Sequence, residues 1–441
     1  MMFRAPRPSP LARPRPGGRR HRHRAALTTH TRAAAASKLS LCVGAENIPH
    51  PDKVKMGGED AWFAVVDGAR GGGTFGVADG VGGFNEQGVD PGLYARVLSY
   101  EALDAAVKAR DGAGGRLGPF GSGTSGVDPK KVAMAAQAGT KLPGAATMCV
   151  VTLDGASLKA ANVGDSGFRV VRGGSVCYAS TPSQHYFNCP YQLAYEELAK
   201  DCDSANDADV FSFNVKEGDL VIAGSDGLFD NVFDEEIVDV ATRAFASASD
   251  VAVGAQAAAT ALAKVARKHA EDKKYDSPYA REAAKSETDK GGAPKAVGLF
   301  GGLNKMLGGG GNLGGKMDDI TVIVAGVVTT AAAQSELAQS EALCEANTKK
   351  LAVVRGQAAV EETKVARTVA LRKEMDSAFK ESVAKSEATS KAMANAKPEF
   401  TRAQVDAMDA PTVRKLLQER GLPTSGKLER LKDRLAEVKA L

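Results

Sequence analysis

Between residues 41 and about 330 short apolar runs alternate with Gly-containing turns and amphipathic stretches, a pattern that predicts strands interleaved with helices. Three of the runs, FGVADGVGG (75–83), DLVIAGSDGLFDN (219–231) and KMDDITVIVAGV (316–327), are strand-like stretches of Val, Ile, Ala and Phe that deliver or receive a carboxylate. With a fourth cluster at Glu59-Asp60, the acidic positions are Asp79-Gly80, Asp226-Gly227 and Asp318-Asp319. Two polar, Gly-rich stretches, Asp111 to Lys130 and Gly291 to Gly315, interrupt the pattern and are expected to be mobile loops. Residues 331 to about 397, rich in Ala, Glu, Lys, Gln and Ser and without proline between Pro294 and Pro398, predict a long helix or a helical pair breaking at Gly356. Leu337, Leu343, Leu351, Val354 and Val360 hold no clean heptad there, which favours a solvated helical spacer over a coiled-coil dimer and a monomer as the expected state. At the end, Thr412–Arg420 and Lys427–Val438 read as two helices around the breaker Gly421-Leu422-Pro423-Thr424-Ser425-Gly426.

Any one Asp-Gly pair after a strand is ordinary turn chemistry, because Asp bonds its local backbone and Gly accepts positive φ. Four such sites beside core strands are a different matter, since an unpaired charge there is expensive. The clusters contain no basic residue that could pair with them all. A convergent carboxylate pocket neutralised by a hard cation such as Mg²⁺ or Mn²⁺ meets that requirement.

Composition narrows the class. The 441 residues are 43% hydrophobic with a formal charge of +4, room for one large domain plus accessories. No apolar run reaches membrane-spanning length, and no membrane partner is expected. Cys42, Cys149, Cys177, Cys189, Cys202 and Cys344 show no CxxC spacing, so they read as reduced thiols and not as a zinc site. The charge is uneven: residues 1–45 hold nine Arg and Lys38 without a single Asp or Glu, a formal +10 that leaves −6 for the remainder. An Arg-rich, acid-free leader with Ala, Ser, Thr and Pro over residues 1–40 reads as a disordered organellar transit peptide, plastid favoured over mitochondrial, with a nucleic-acid-binding arm as the rival reading.

Six motifs, GGEDAWF (57–63), FGVADGVGGF (75–84), GAATMCVV (144–151), AANVGDSGFRVV (160–171), GSDGLFDN (224–231) and MDDITVIV (317–324), stand in an order that closely resembles the metal-dependent type 2C family of protein serine/threonine phosphatases. The resemblance covers about residues 45–328, and IPHPDKV (48–54) and QHYFNCPYQL (184–193) are similar to its organelle-targeted branch. It implies an α+β fold, a four-layer α-β-β-α sandwich of two antiparallel sheets with a two-metal centre at one end. On it, Asp79 maps to the residue bridging two Mn²⁺ or Mg²⁺ ions, and Gly80 offers its carbonyl. Glu59, Asp226 and Asp318 map to the metal shell, Asp60 to the acid holding a metal-bound water, and Asp319 to a supporting neighbour. The implied reaction is direct attack of a metal-bridging hydroxide on phosphoserine or phosphothreonine of a phosphoprotein, without a phosphoenzyme. Consistently, the chain has no Cys-x5-Arg loop and no Gly-x-Ser-x-Gly elbow.

The match departs from the family pattern at two positions. Val81 stands where many members carry His in DGxGG, and Lys55 stands where many carry the Arg that clamps phosphate. Lys supplies charge but not a planar fork. The C-terminal unit resembles the SAP-type helix-loop-helix motif, which implies DNA or RNA contact through Lys427, Arg430 and Arg434; residues 400–441 carry a local charge of +3. A helical hairpin that docks on protein is the alternative for this unit. For the whole chain the alternative is a non-catalytic phosphoprotein-binding scaffold tethered to nucleic acid.

Overall fold

The computed structural model describes residues 38–66, 71–113, 126–197, 202–288, 313–330, 334–395 and 399–438. In chain order the strands are β1 (Leu39–Ile48), β2 (Asp60–Val66), β3 (Gly73–Asp79), β4 (Ala145–Ala146), β5 (Met148–Asp154), β6 (Ser157–Val163), β7 (Gly167–Arg172), β8 (Ser175–Ala179), β9 (Gln184–Tyr186), β10 (Cys189–Pro190), β11 (Leu193–Ala194), β12 (Asp209–Asn214), β13 (Leu220–Gly224) and β14 (Ile320–Thr329). The helices are α1 (Pro91–Ala113), α2 (Pro129–Gly139), α3 (Asp226–Phe229), α4 (Asp234–Ala246), α5 (Val251–Glu271), α6 (Pro278–Thr288), α7 (Gln334–Asn395), α8 (Arg402–Asp406), α9 (Ala410–Glu419) and α10 (Leu428–Ala436), with a 3-10 turn at Pro51–Met56.

Successive strand side chains point to opposite faces, and here both faces are apolar. In β14, Ile323, Ala325 and Val327 meet the other sheet, whereas Ile320, Val322 and Val324 meet α4 and α5. In β5, Cys149, Val151 and Leu153 face the inter-sheet core, whereas Met148 and Val150 face α1 and α2. Burial on both faces therefore builds four layers from two antiparallel five-stranded sheets, ordered β1-β14-β13-β7-β8 and β12-β6-β5-β3-β2. The α-β-β-α sandwich expected from the motif order is the architecture observed.

Several boundaries move. The basic leader lies outside the described residues as far as Ser37, but Leu39 and Ser40, assigned to it, already belong to β1. Residues 114–125 and 289–312, most of the two expected loops, also lie outside them; α1 runs to Ala113, α2 starts at Pro129, and Gly315 bonds back to Asp272 O (3.0 Å).

The spacer expectation needs correction. Residues 334–395 form one helix that passes through Gly356, and its first half packs on the sandwich. Leu337, Cys344, Leu351, Ala358 and Val365 are buried at seven-residue spacing, a heptad hidden from a reading that counted only large aliphatic residues. The partner is the chain's own edge: α7 packs on β1, β2 and α1. Ser340 satisfies both backbone groups of Val43 on edge strand β1, donating to its carbonyl at 3.0 Å. Asn347 Nδ2 reaches Trp62 O on β2 (2.7 Å), and Arg355 pairs with Glu101 (2.7 Å). Covering β1 and β2 in this way closes two sheet edges that would otherwise invite pairing. Beyond Val369 no described side chain of the helix is buried.

Residues 399–438 form a small unit with its own core of Val405, Val413, Leu417, Leu431 and Leu435. The two expected helices are α9, which starts two residues earlier and ends one earlier than expected, and α10, which is shorter at both ends; α8, opened by a Thr401/Gln404 capping box, is an addition.

Candidate metal centre

Five chain segments bring acids to one end of the sandwich. Asp60 opens β2 and Asp79 closes β3, and the two are directly paired across the strands. Asp226 follows the end of β13, Asp318-Asp319 precedes β14, and Asp165 lies in the turn from β6 to β7. Close backbone approach makes two glycines obligatory: a Cβ on Gly80 would stand 2.7 Å from Glu59 O, and one on Gly227 would stand 2.0 Å from Asp319 O. Arg267 locks the β14 turn by donating to Pro49 O (2.7 Å), Ile48 O (3.2 Å) and Asp318 O (3.2 Å).

Hydrogen bonding sorts the carboxylates. Asp319 is fully engaged, accepting from His50 N (2.6 Å), Glu59 N (3.0 Å) and Lys53 Nζ (3.4 Å). Glu59 is engaged too, by Asn85 Nδ2 and by Lys53 Nζ at 2.6 Å. Asp60 Oδ2 accepts from Ser225 Oγ (2.7 Å) and Asp226 Oδ2 accepts from Lys316 Nζ, but Oδ1 of each is buried without a partner. Two orphaned carboxylate oxygens in one cluster have a desolvation cost that an ion would relieve.

Electrostatics points the same way. Burial, then the charge of Asp319, raises Asp60 well above the usual carboxylate range, against the hydroxyls of Ser225 and Thr321. Asp79 is raised by burial and by Asp60, Asp226, Asp318 and Asp165. Burial also pushes Asp165 up to about 8 and Asp230 to about 7. Asp226 alone is lowered: burial acts upward, but the Lys316 ammonium outweighs it. These hard oxygen donors, mutually repelling and partly unpaired, fit Mg²⁺ or Mn²⁺. Among the described residues no three His, Cys, Asp or Glu side chains already stand as a ligand shell, since several of the oxygens turn to Lys53 and Lys316 instead.

Glu59, Asp60, Asp79, Gly80, Asp226, Asp318 and Asp319 are thus brought together. Lys55 is not; it is exposed on the 3-10 turn, and the lysine that reaches the acids is Lys53. No single base pairs with all the clusters, but Lys53 and Lys316 each bridge carboxylates from distant segments, a pairing only the fold creates. Asp165 and Asp230 were also passed over, although both stand in quoted motifs, GDSG and GLFDN, at strand or helix ends. His185 bonds Asp203 (3.0 Å) and stacks on Tyr191 at 4.3 Å. In the C-terminal unit Lys427 caps α10 and Arg430 is exposed, while Arg434 donates to Pro423 O and so holds the breaker loop.

No family model matches the chain. It is 40% identical over 299 residues to "Probable protein phosphatase 2C 1" of Oryza sativa subsp. japonica, covering 67% of this chain and 77% of that protein. Identity to "Probable protein phosphatase 2C 26" of Arabidopsis thaliana is also 40%, over 298 residues, 66% of this chain and 86% of the other. The human "Protein phosphatase PTC7 homolog" is 36% identical over 273 residues, 60% and 78% of the two chains. Among solved structures, the photosystem II phosphatase PBCP superposes with a TM-score of 0.52 at 38% identity, covering 66% of this chain and 100% of that one.

Proposed function

The chain belongs to the protein phosphatase 2C family and is a protein-serine/threonine phosphatase, and we propose that its acidic centre works with two Mn²⁺ or Mg²⁺ ions held by Asp60, Asp79, the Gly80 carbonyl, Asp226 and Asp318. The observation that carries this assignment is the pair of buried, unpartnered oxygens, Asp60 Oδ1 and Asp226 Oδ1, within a cluster of repelling carboxylates. When bound, such ions supply Lewis acidity toward the phosphoryl group and an activated water for in-line displacement. The chain's own residues orient that chemistry. Ser225 fixes the rotamer of Asp60, Arg267 and Asp319 hold the β14 turn, and Lys53 with Asn85 sets Glu59 beside it. Glu59 then acts on the centre from a position where both its oxygens are engaged, and Lys53 replaces Lys55 as the cation that the turn contributes. The substrate is a phosphoprotein. Turnover of a phosphothreonine peptide with Mn²⁺ is expected to vanish with EDTA and to fall by ~100-fold or more in Asp79→Asn. Turnover indifferent to both would refute the assignment, and a chain with no metal-dependent turnover would be the phosphoprotein-binding scaffold.

We further propose that the C-terminal unit tethers the enzyme to nucleic acid through Lys427 and Arg430, with Arg434 shaping the loop between them and α9. Its independent core and exposed basic positions support this reading. Full-length protein is expected to retain DNA or RNA at low salt and lose it on deletion of residues 399–441; equal retention would end the idea. A plastid address is supported by the acid-free basic leader and by likeness to a photosystem II phosphatase. A reporter fused to residues 1–50 should enter plastids, and its retention in the cytosol would count against it.

A further inference from the structure

Lys316 is built into the acidic centre. The wholly buried Asn231 clamps its backbone from both sides, accepting from Lys316 N at 2.9 Å and donating to Lys316 O at 2.9 Å. Its side chain is 17% exposed, and Nζ contacts Asp226 Oδ2, lies 2.8 Å from Asp230 Oδ2 and 3.5 Å from Asp318 Oδ2, and stands 5.5 Å from the Tyr279 ring centroid. An ammonium has three donors, and three carboxylates face this one, Asp226 and Asp230 from the α3 segment and Asp318 from the turn before β14. Asp226 divides the centre: one oxygen goes to Lys316, while the other stays unpartnered in the company of Asp79 and Asp60.

We propose that Lys316 is a resident cation of the centre, filling on the Asp230 side the position of a further divalent ion, beside the two that Asp60, Asp79, the Gly80 carbonyl, Asp226 and Asp318 would hold. The inference deepens the phosphatase reading and rests on it. A tethered charge of this kind holds Asp226, Asp230 and Asp318 together before any metal arrives, and it limits how many ions the cluster accepts.

Two measurements on the full chain test the assignment. Native mass spectrometry or calorimetry with Mn²⁺ should count one more ion in Lys316→Met than in the wild type, with the wild-type count kept in Lys316→Arg. The metal-free Lys316→Met protein should also melt lower and regain its melting temperature with Mn²⁺. Independently of any variant, amine-labelling mass spectrometry of the wild type should find Lys316 protected both with and without Mn²⁺. An unchanged ion count in Lys316→Met, or labelling of Lys316 that appears on Mn²⁺ loading, would overturn the proposal while leaving the metal centre intact. A wild-type chain that takes no Mn²⁺ would instead remove the reading beneath it.

Discussion

At the scale of single residues, the acidic centre sets buried carboxylates against two lysines, Lys53 and Lys316. Asp79, Asp226 and Asp318 announce themselves because each interrupts or abuts a strand where a charge needs a reason. Lys53 and Lys316 look like ordinary surface lysines in sequence, and only folding places them on acids up to 266 residues away. The pKa shifts carry a stability consequence. Asp165 at about 8 and Asp230 at about 7 lie above the ordinary value of 3.8, so the folded chain keeps protons that the unfolded chain has released. The stability this provides is complete below the ordinary value and declines as pH rises through the raised ones. The metal-free protein should therefore melt progressively lower between about pH 5 and pH 8, and saturating Mg²⁺ should flatten the slope by displacing those protons. A metal-free melting temperature that climbs over this interval would contradict the assignment of raised values.

Among the elements, α7 teaches the most. The composition of residues 334–395 correctly predicted a helix, but the stripe that binds it to the body is made of Leu337, Cys344, Leu351, Ala358 and Val365, two of which carry little hydrophobic signal. A helix read as a spacer is in its first half a cover for the edges β1 and β2, and Gly356 passes without a break because its surroundings are open. Replacing buried Leu351 by Ala should cost about 2–5 kcal/mol by removing side-chain contacts against α1. The exposed Val360 on the same helix should tolerate Ala within about 0.5 kcal/mol. Equal effects of the two in denaturant unfolding would mean that α7 does not pack as described. The C-terminal helices were readable because Val413, Leu416 and Leu417 fall at i, i+3, i+4, Leu428, Leu431 and Leu435 at i, i+3, i+7, and a Gly-bounded loop separates them; α8 was not, since five residues are too few to show a period.

For the molecule as a whole, the order of weak motifs carried more than any one of them. Strands that are apolar on both faces require helices on both sides, and this alone leads to the four layers observed. It also dictates where chemistry can sit, because the acids at the ends of β3, β13 and β14 can only meet at one rim of the sandwich. What the pattern left unread was the division of labour at that rim: which oxygens are taken by Ser225, Lys53 and Lys316, and which two are left for an ion. The most direct test pairs Mn²⁺ binding with phosphopeptide turnover in the wild type and in Asp79→Asn. The account predicts that wild-type turnover rises with Mn²⁺ occupancy and that the variant loses affinity and turnover together; full turnover in a variant that no longer binds Mn²⁺ would contradict it.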